Sequence, residues 1–234
     1  VAAKHIIVAT GARPRTIPGV AIDRKRVISS TEAMNLPQQP KSMVIIGAGA
    51  IGIEFAYFYN AIGTKVTVVE MMPTILPIED AELTKLMEAS LRKQGIEIFT
   101  QTKVESVKPG ANDVGVVVTT AEGKKELKGE VALMSIGVQG NVENFGLEKL
   151  GATVDRNHIK VDKDYRTNVP GIYAIGDVIG PPWLAHVASA EGIHCVEAIA
   201  GLSPHPIDYS TIPGCTYCQP QIASVGLTEE SAKA

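Results

Sequence analysis

Short apolar runs, such as Met43-Val44-Ile45-Ile46 and Val66-Thr67-Val68-Val69, alternate with longer mixed stretches along the middle of the chain. The runs predict strands near 43–46, 65–69 and 96–99, and the mixed stretches predict helices near 51–62 and 81–94. Strand–helix alternation of this kind implies a parallel sheet with right-handed crossovers. Strands near 103–108, 114–119 and 125–128 then read as a meander, with turn signals at Pro109-Gly110 and Glu122-Gly123. The run from Glu130 to Ile136 predicts another buried strand, ending at Gly137. Residues 41–136 therefore read as one compact α/β unit.

The flanks follow a different pattern. Residues 4–9 predict a buried strand, closed by Thr10-Gly11-Ala12-Arg13-Pro14, and Ser29 to Glu32 has the spacing of a helix capping box. Pro37 and Pro40 mark a linker. Beyond residue 150, His158 to Asp162 alternates as a short strand, and Asn168-Val169-Pro170-Gly171 is a turn. Ile172 to Ile175 is a buried strand ending at Gly176-Asp177, and a helix over Leu184 to Ala200 is closed by Gly201. Pro204, Pro206 and Pro213 form a second linker, after which Gly214 to Ala234 begins a new extended pattern.

Composition narrows the function classes. The 234 residues carry a net charge of −3, which gives no electrostatic case for nucleic acid or an anionic membrane surface. No apolar run reaches the roughly 20 residues of a membrane span, and Val1 to Ile6 is no signal peptide. The chain starts without Met and enters a strand at once, as a piece of a larger protein would. Cys215-Thr216-Tyr217-Cys218 invites a zinc or redox reading, but no second Cys pair or His pair completes four zinc ligands, so no metal site is expected. In an extended segment the two side chains point to opposite faces, which predicts unpaired packing or surface cysteines. Cys195, among apolar helix neighbours, reads as a small core residue.

The chemistry concentrates at Gly47-Ala48-Gly49-Ala50-Ile51-Gly52, between a predicted strand and a predicted helix, with Glu70 ending the next strand. Strand, G-x-G-x-x-G, helix, strand and acid is the order that a dinucleotide site requires. Gly47 allows the tight turn, Gly49 lets the backbone approach a pyrophosphate, and Gly52 lets the helix pack closely. Open N–H groups at the helix start would face the phosphates. A carboxylate at Glu70 would accept both ribose hydroxyls of NAD and repel the extra phosphate of NADP. The alternative is an ordinary tight strand–helix turn. Asp177, at a strand's carboxyl end, suits either a ligand contact or a helix N-cap. His186, near a helix start, reads locally as structural more readily than catalytic, and no Ser-His-Asp arrangement can be claimed.

Taken together, these motifs resemble the pyridine-nucleotide disulfide oxidoreductases, in particular their dihydrolipoamide dehydrogenase branch. The matching residues are Ile7 to Pro14, the glycine turn with Ile51 and Glu54, Val68-Val69-Glu70, Ser135-Ile136-Gly137 and Asn141. They continue through Thr167, Ile172 to Asp177, Leu184-Ala185-His186, Ile212-Pro213 and Val225 to Glu229. The resemblance implies an α/β fold in which a Rossmann-like NAD-binding domain is inserted in an FAD-binding domain. Residues 1–40 and 155–210 would be two pieces of the FAD domain, 41–154 the NAD domain, and 211–234 the start of an interface domain. It further implies that Gly47, Ala48, Gly49, Ala50, Ile51, Gly52 and Glu54 line NAD, with Glu70 on the adenosine ribose, Val104 beside the adenine and Gly137 at the nicotinamide half. Thr10, Gly11 and Ala12 would lie along FAD, Asp177 would bind its ribityl–phosphate region, and Leu184, Ala185 and His186 would open a helix facing the flavin.

Departures from the family pattern are equally informative. The first glycine turn for FAD, the C-x4-C redox pair and the C-terminal His–Glu pair are not found, so no catalytic residue is expected within the chain and the flavin site is expected to be incomplete. Val138 stands where many relatives carry Arg. The whole enzyme implied would oxidise dihydrolipoamide with NAD through FAD and a disulfide. It would be a homodimer and a component of 2-oxo acid dehydrogenase complexes, contacting their lipoyl domains, in a bacterial cytoplasm or a mitochondrial matrix. A mercuric reductase, an NADH oxidase and a stand-alone NAD-binding module are the alternatives. The 211–234 tail is expected to be poorly packed or to lean on a neighbouring copy of the chain.

Overall fold

The computed structural model describes residues 2–234. In chain order the elements are β1 (Ile6–Val8), β2 (Ala12–Pro14), β3 (Val27–Ile28), α1 (Ser30–Ala33), β4 (Ser42–Ile46), α2 (Ala50–Ala61), β5 (Lys65–Val69) and α3 (Ala81–Lys93). They continue as β6 (Glu97–Phe99), β7 (Lys103–Pro109), β8 (Val114–Thr120), β9 (Gly123–Gly129), β10 (Val131–Met134) and β11 (Val138–Gly140). After β12 (Val154–Asp155), β13 (His158–Ile159) and β14 (Ile172–Ala174) come α4 (Ala185–Ile199), β15 (Gly214–Thr216), β16 (Ile222–Ser224) and α5 (Glu229–Lys233). Residue contacts divide the chain into two units. One comprises Pro14–Gly137 with Pro213–Ala234, and the other the residues up to Arg13 with Val138–Ile212.

The larger unit is built on a parallel sheet in the order β3-β10-β4-β5-β6. Successive residues of a strand face opposite sides, and β4 shows the consequence. Met43 and Ile45 pack with Ile53, Ala56, Met87 and Leu91 of α2 and α3. Val44 and Ile46 pack with Val114, Val116 and Val118 of the antiparallel meander β7-β8-β9 on the other face. Both faces of the sheet are covered, which is why β4 and β5 read as nearly continuous apolar runs, broken in β5 by Thr67, whose hydroxyl donates to Glu97 at 3.0 Å. Burying side chains such as Ile45 and Ile53 stabilises the unit by roughly 1.5–3 kcal/mol each. The predicted capping box is present: Ser29 Oγ accepts the Thr31 N–H, and the Glu32 carboxylate accepts the Ser29 N–H at 2.9 Å. Val27–Ile28 pairs with β10, so contacts extend this unit upstream of the linker prolines Pro37 and Pro40, to Pro14.

The tail corrects two expectations. Residues 214–224 form a hairpin rather than one extended strand, with Cys215 opposite Ala223 and Cys218 in the turn. Cys218 and Ile222 are buried in the same core as Met87 and Leu91, so the hairpin is packed, whereas residues 223–227 and 229–234 are exposed as expected. Cys218 Sγ lies 3.7 Å from Met87 Sδ, and burial pushes its thiol up to about 11. The Tyr217 N–H donates to Glu54 Oε1 at 2.8 Å. All three cysteines are unpaired, and Cys195 is buried.

In the smaller unit β1 and β14 pair in parallel, with Val8 opposite Ala174. Val8, Ile159, Ile172, Ala174 and Val178 form its core. The strand expected to be buried over residues 4–9 is covered less than predicted. Ile6 and Ile7 are 51% and 37% exposed, because β1 has a single strand neighbour. The strand expected over 158–162 pairs only at His158–Ile159. Cys195 packs with Tyr165 and Tyr173 beneath α4.

Candidate functional site

In the larger unit the chain leaves β4 through a turn that only glycine allows. Gly47 has φ +101°, and a Cβ there would lie 2.5 Å from the Ser135 carbonyl oxygen. Ser135 Oγ donates to the carbonyls of Ile46 and Gly47, both at 2.9 Å, which fastens the turn to β10. At Gly52 a Cβ would sit 2.0 Å from the Gly47 carbonyl oxygen, so α2 packs directly on the turn. Gly49 differs: nothing lies within 4 Å of its Cβ position, so its face is open. It is the N-cap of α2, with no side-chain cap and no acidic residue in the first turn. The N–H groups that a helix start leaves unpaired are therefore available to an anion.

Glu70 ends β5 and is only 9% exposed. Its Oε2 accepts the Ala48 N–H at 2.7 Å and its Oε1 accepts the Met72 N–H at 2.8 Å. Each carboxylate oxygen offers two lone pairs, so both retain capacity for a hydroxyl donor. Val104 lies at a bulge where the β7–β8 register shifts before Ser106, a device that re-aims side chains beside sites. Gly137 has φ +96°, and its carbonyl accepts the Arg15 N–H at 2.9 Å.

These residues line one cavity of about 510 Å3, within the usual range for small-molecule sites. Gly47, Gly49, Glu70, Val104 and Gly137 share it with Arg15. Ala48 is buried behind the turn, and Gly52 packs beneath it. Ala50 and Ile51 open α2 and are exposed, whereas Glu54 is engaged by Tyr217. A second cavity of about 490 Å3, lined by Glu79, Asp80, Glu82, Glu229, Glu230 and Lys233, is too acidic for a pyrophosphate.

In the smaller unit, the parallel pairing of β1 and β14 brings Thr10-Gly11-Ala12 and Gly176-Asp177 to the same, carboxyl end of the strand pair. Asn141 holds the first segment. It receives the Thr10 hydroxyl on its carbonyl at 2.7 Å and donates its side-chain amide to the Thr10 carbonyl at 2.9 Å. Asp177 lies in a 3-10 turn, Gly176–Ile179, whose N-cap is Ile175. The N-cap role open to Asp177 is thus taken by another residue, and its carboxylate accepts no hydrogen bond among the described residues. Leu184 caps α4 without a side-chain bond, and Ala185 and His186 in the first turn are exposed. Among the described residues no cluster of metal-ligating side chains exists and no helix is long and apolar enough to cross a membrane.

The structure adds residues that sequence reasoning did not single out. Glu191 of α4 is 3% exposed. Its Oε2 accepts the Gly176 N–H at 2.6 Å and its Oε1 accepts the Tyr209 hydroxyl at 2.7 Å. Desolvation and the hydrogen bonds with Tyr165 and Glu191 hold the Tyr209 phenol well above its ordinary pKa. Arg15 also lines the cavity, and Ser135, already part of the Ser135-Ile136-Gly137 motif, fastens its glycine turn. No local pattern marks Glu191 or Arg15, since each is defined by a partner distant in sequence.

A covered parallel sheet, a glycine turn at the central strand and an acid at the neighbouring strand's end define the class of α/β fold on which dinucleotide sites are built. The chain belongs to the Pyridine nucleotide-disulphide oxidoreductase family, which it matches over residues 1–192. It is 54% identical over 233 residues to a protein of Rhizobium etli named dihydrolipoyl dehydrogenase, a match covering 99% of this chain and 48% of that one. A protein of the same name from Chlorobaculum tepidum is 47% identical, over 98% of this chain and 49% of its own length. Among solved structures, LpdA from Mycobacterium tuberculosis superimposes with a TM-score of 0.88 at 33% identity, over 98% of this chain and 50% of that one. The chain spans about half the length of the curated relatives it matches.

Proposed function

We propose that the chain is the NAD-binding part of a dihydrolipoyl dehydrogenase, an enzyme that oxidises dihydrolipoamide to lipoamide with NAD as acceptor. The observation that carries this reading is the cavity that joins the open face of Gly49 to the carboxylate of Glu70. In it the diphosphate lies over Gly47 and Gly49, against the start of α2. The adenosine ribose donates its hydroxyls to Glu70, the adenine rests on Val104, and the nicotinamide half reaches Gly137. Ala48 and Gly52 form the base of the turn, Ala50 and Ile51 open the helix, and Glu54 supports it.

The smaller unit is read as part of an FAD site. Thr10, Gly11 and Ala12 lie along the cofactor, Asp177 meets its ribityl–phosphate region, and the uncapped start of α4 at Leu184, Ala185 and His186 faces its pyrimidine edge. The unengaged Asp177 carboxylate and the exposed first turn of α4 support that fit. Bound flavin would supply electron transfer between a dithiol and NAD. The positive end of α4 stabilises negative charge placed there. Residues 1–40 and 155–210 are assigned to the FAD domain, 41–154 to the NAD domain and 211–234 to an interface domain. A homodimer engaged with the lipoyl domains of a 2-oxo acid dehydrogenase complex is the corresponding assembly.

The test is Gly49→Ala. Gly49 needs no left-handed backbone and its Cβ position is open, so the variant folds as the unaltered chain does. The added methyl stands where the diphosphate must approach. NADH affinity by fluorescence titration should fall about tenfold or more, a loss of roughly 1.4 kcal/mol or greater. Equal NADH affinity in the two proteins would overturn the reading.

A further inference from the structure

We infer that Arg15 is the side chain that holds the dinucleotide's diphosphate from the side opposite α2, an inference that rests on the nucleotide reading of the cavity. The arginines of the chain differ in how they are engaged. Arg13, Arg24, Arg92 and Arg166 each pair with a carboxylate, Arg26 donates to the carbonyls of Glu130 and Ala111, and Arg156, without such a partner among the described residues, does not line the cavity. The exposed guanidinium of Arg15 has no such partner among the described residues, although it lines the cavity. Lys103, the other cation lining that cavity, is paired with Glu105 at 3.2 Å.

The backbone of Arg15 is fixed while its head is not. Its N–H donates to the Gly137 carbonyl at 2.9 Å, and its Cδ lies 3.9 Å from the Cβ position of Gly137. The stem thus starts at the Gly137 end of the cavity, and Glu70, beside Met71 and Thr102, marks the other end. Gly47 and Gly49 belong to the turn that Glu70 holds through Ala48. A ligand spanning from Glu70 to Gly137 crosses the turn with its two phosphates, each of which carries a negative charge. α2 offers only N–H groups and a partial charge there. A guanidinium supplies a full charge and a planar fork of donors that matches phosphate oxygens. Arg15 is placed to provide it, without competition from a neighbouring carboxylate.

The experiment compares the unaltered chain with Arg15→Gln and Arg15→Lys, using NADH, ADP-ribose and AMP as probes. Both variants keep the backbone bond to Gly137, and circular dichroism with a thermal melt checks that they fold alike. Arg15→Gln should weaken NADH and ADP-ribose about tenfold, in keeping with the loss of a hydrogen bond to a charged group. AMP, which lacks the second phosphate, should change less than twofold. Arg15→Lys should recover part of the loss for both diphosphates. Unchanged NADH affinity in Arg15→Gln would overturn the inference while leaving the cavity's reading intact, and so would an equal loss for AMP. Failure of the unaltered chain to bind NADH would overturn the cavity's reading, and the inference with it.

Discussion

Glu70 Oε2 accepts the N–H of Ala48 across 2.7 Å, so the acid at the end of one strand holds the glycine turn that leaves its neighbour. Its other oxygen holds Met72. The carboxylate therefore shapes the turn as well as facing the cavity. Removing it leaves the buried Ala48 N–H unpaired, at a cost of about 1–3 kcal/mol. Glu70→Ala should lower the urea midpoint accordingly, and Glu70→Gln, which keeps one acceptor, should lower it less. Equal stability of all three proteins would contradict this double role.

Glu191 does the corresponding work in the other unit, where it joins α4 to the turn that carries Asp177. Glu191→Ala would strand the Gly176 N–H and leave the Tyr209 hydroxyl with Tyr165 as its one partner, and should cost roughly 1–3 kcal/mol, whereas Tyr209→Phe leaves the Gly176 bond in place and should cost about 1 kcal/mol. Chemical denaturation of the two variants measures the difference. A Glu191→Ala variant as stable as the parent would refute the clasp.

Cys218 gives a pH-dependent expectation. Burial raises its thiol from 9.0 to about 11, so folding favours the neutral form. Its contribution to stability is complete below pH 9 and is lost as pH rises through about 11. Near pH 8 a thiol reagent should modify the half-buried Cys215 well before Cys218 and Cys195, and three thiols should titrate after denaturation without reductant. Rapid reaction of all three in the native chain would show that the hairpin does not pack as described.

The features legible in the sequence were those that local sterics decide. The glycine turn is one, because Gly47 and Gly52 face backbone atoms that exclude any Cβ. The strands around it are another, since both faces of the sheet are covered and nearly every buried position is apolar. The 214–224 hairpin was not legible, because its burial depends on Met87, far away in the chain. Arg15 escaped notice as one exposed cation among several, and only the cavity distinguishes it. Glu191 reads as an ordinary helix residue until Gly176 is seen to donate to it. In β1 the apolar run predicted burial on both faces, and a single paired neighbour leaves Ile6 half exposed.

The central claim is that Glu70 makes the cavity a site for NAD rather than NADP. Fluorescence titration of the unaltered chain and of Glu70→Ala with NADH and NADPH tests it most directly. The account predicts tighter NADH binding by the unaltered chain, and a weakened, less selective variant, with the preference falling by about 1–3 kcal/mol. Equal or tighter binding of NADPH by the unaltered chain would contradict it.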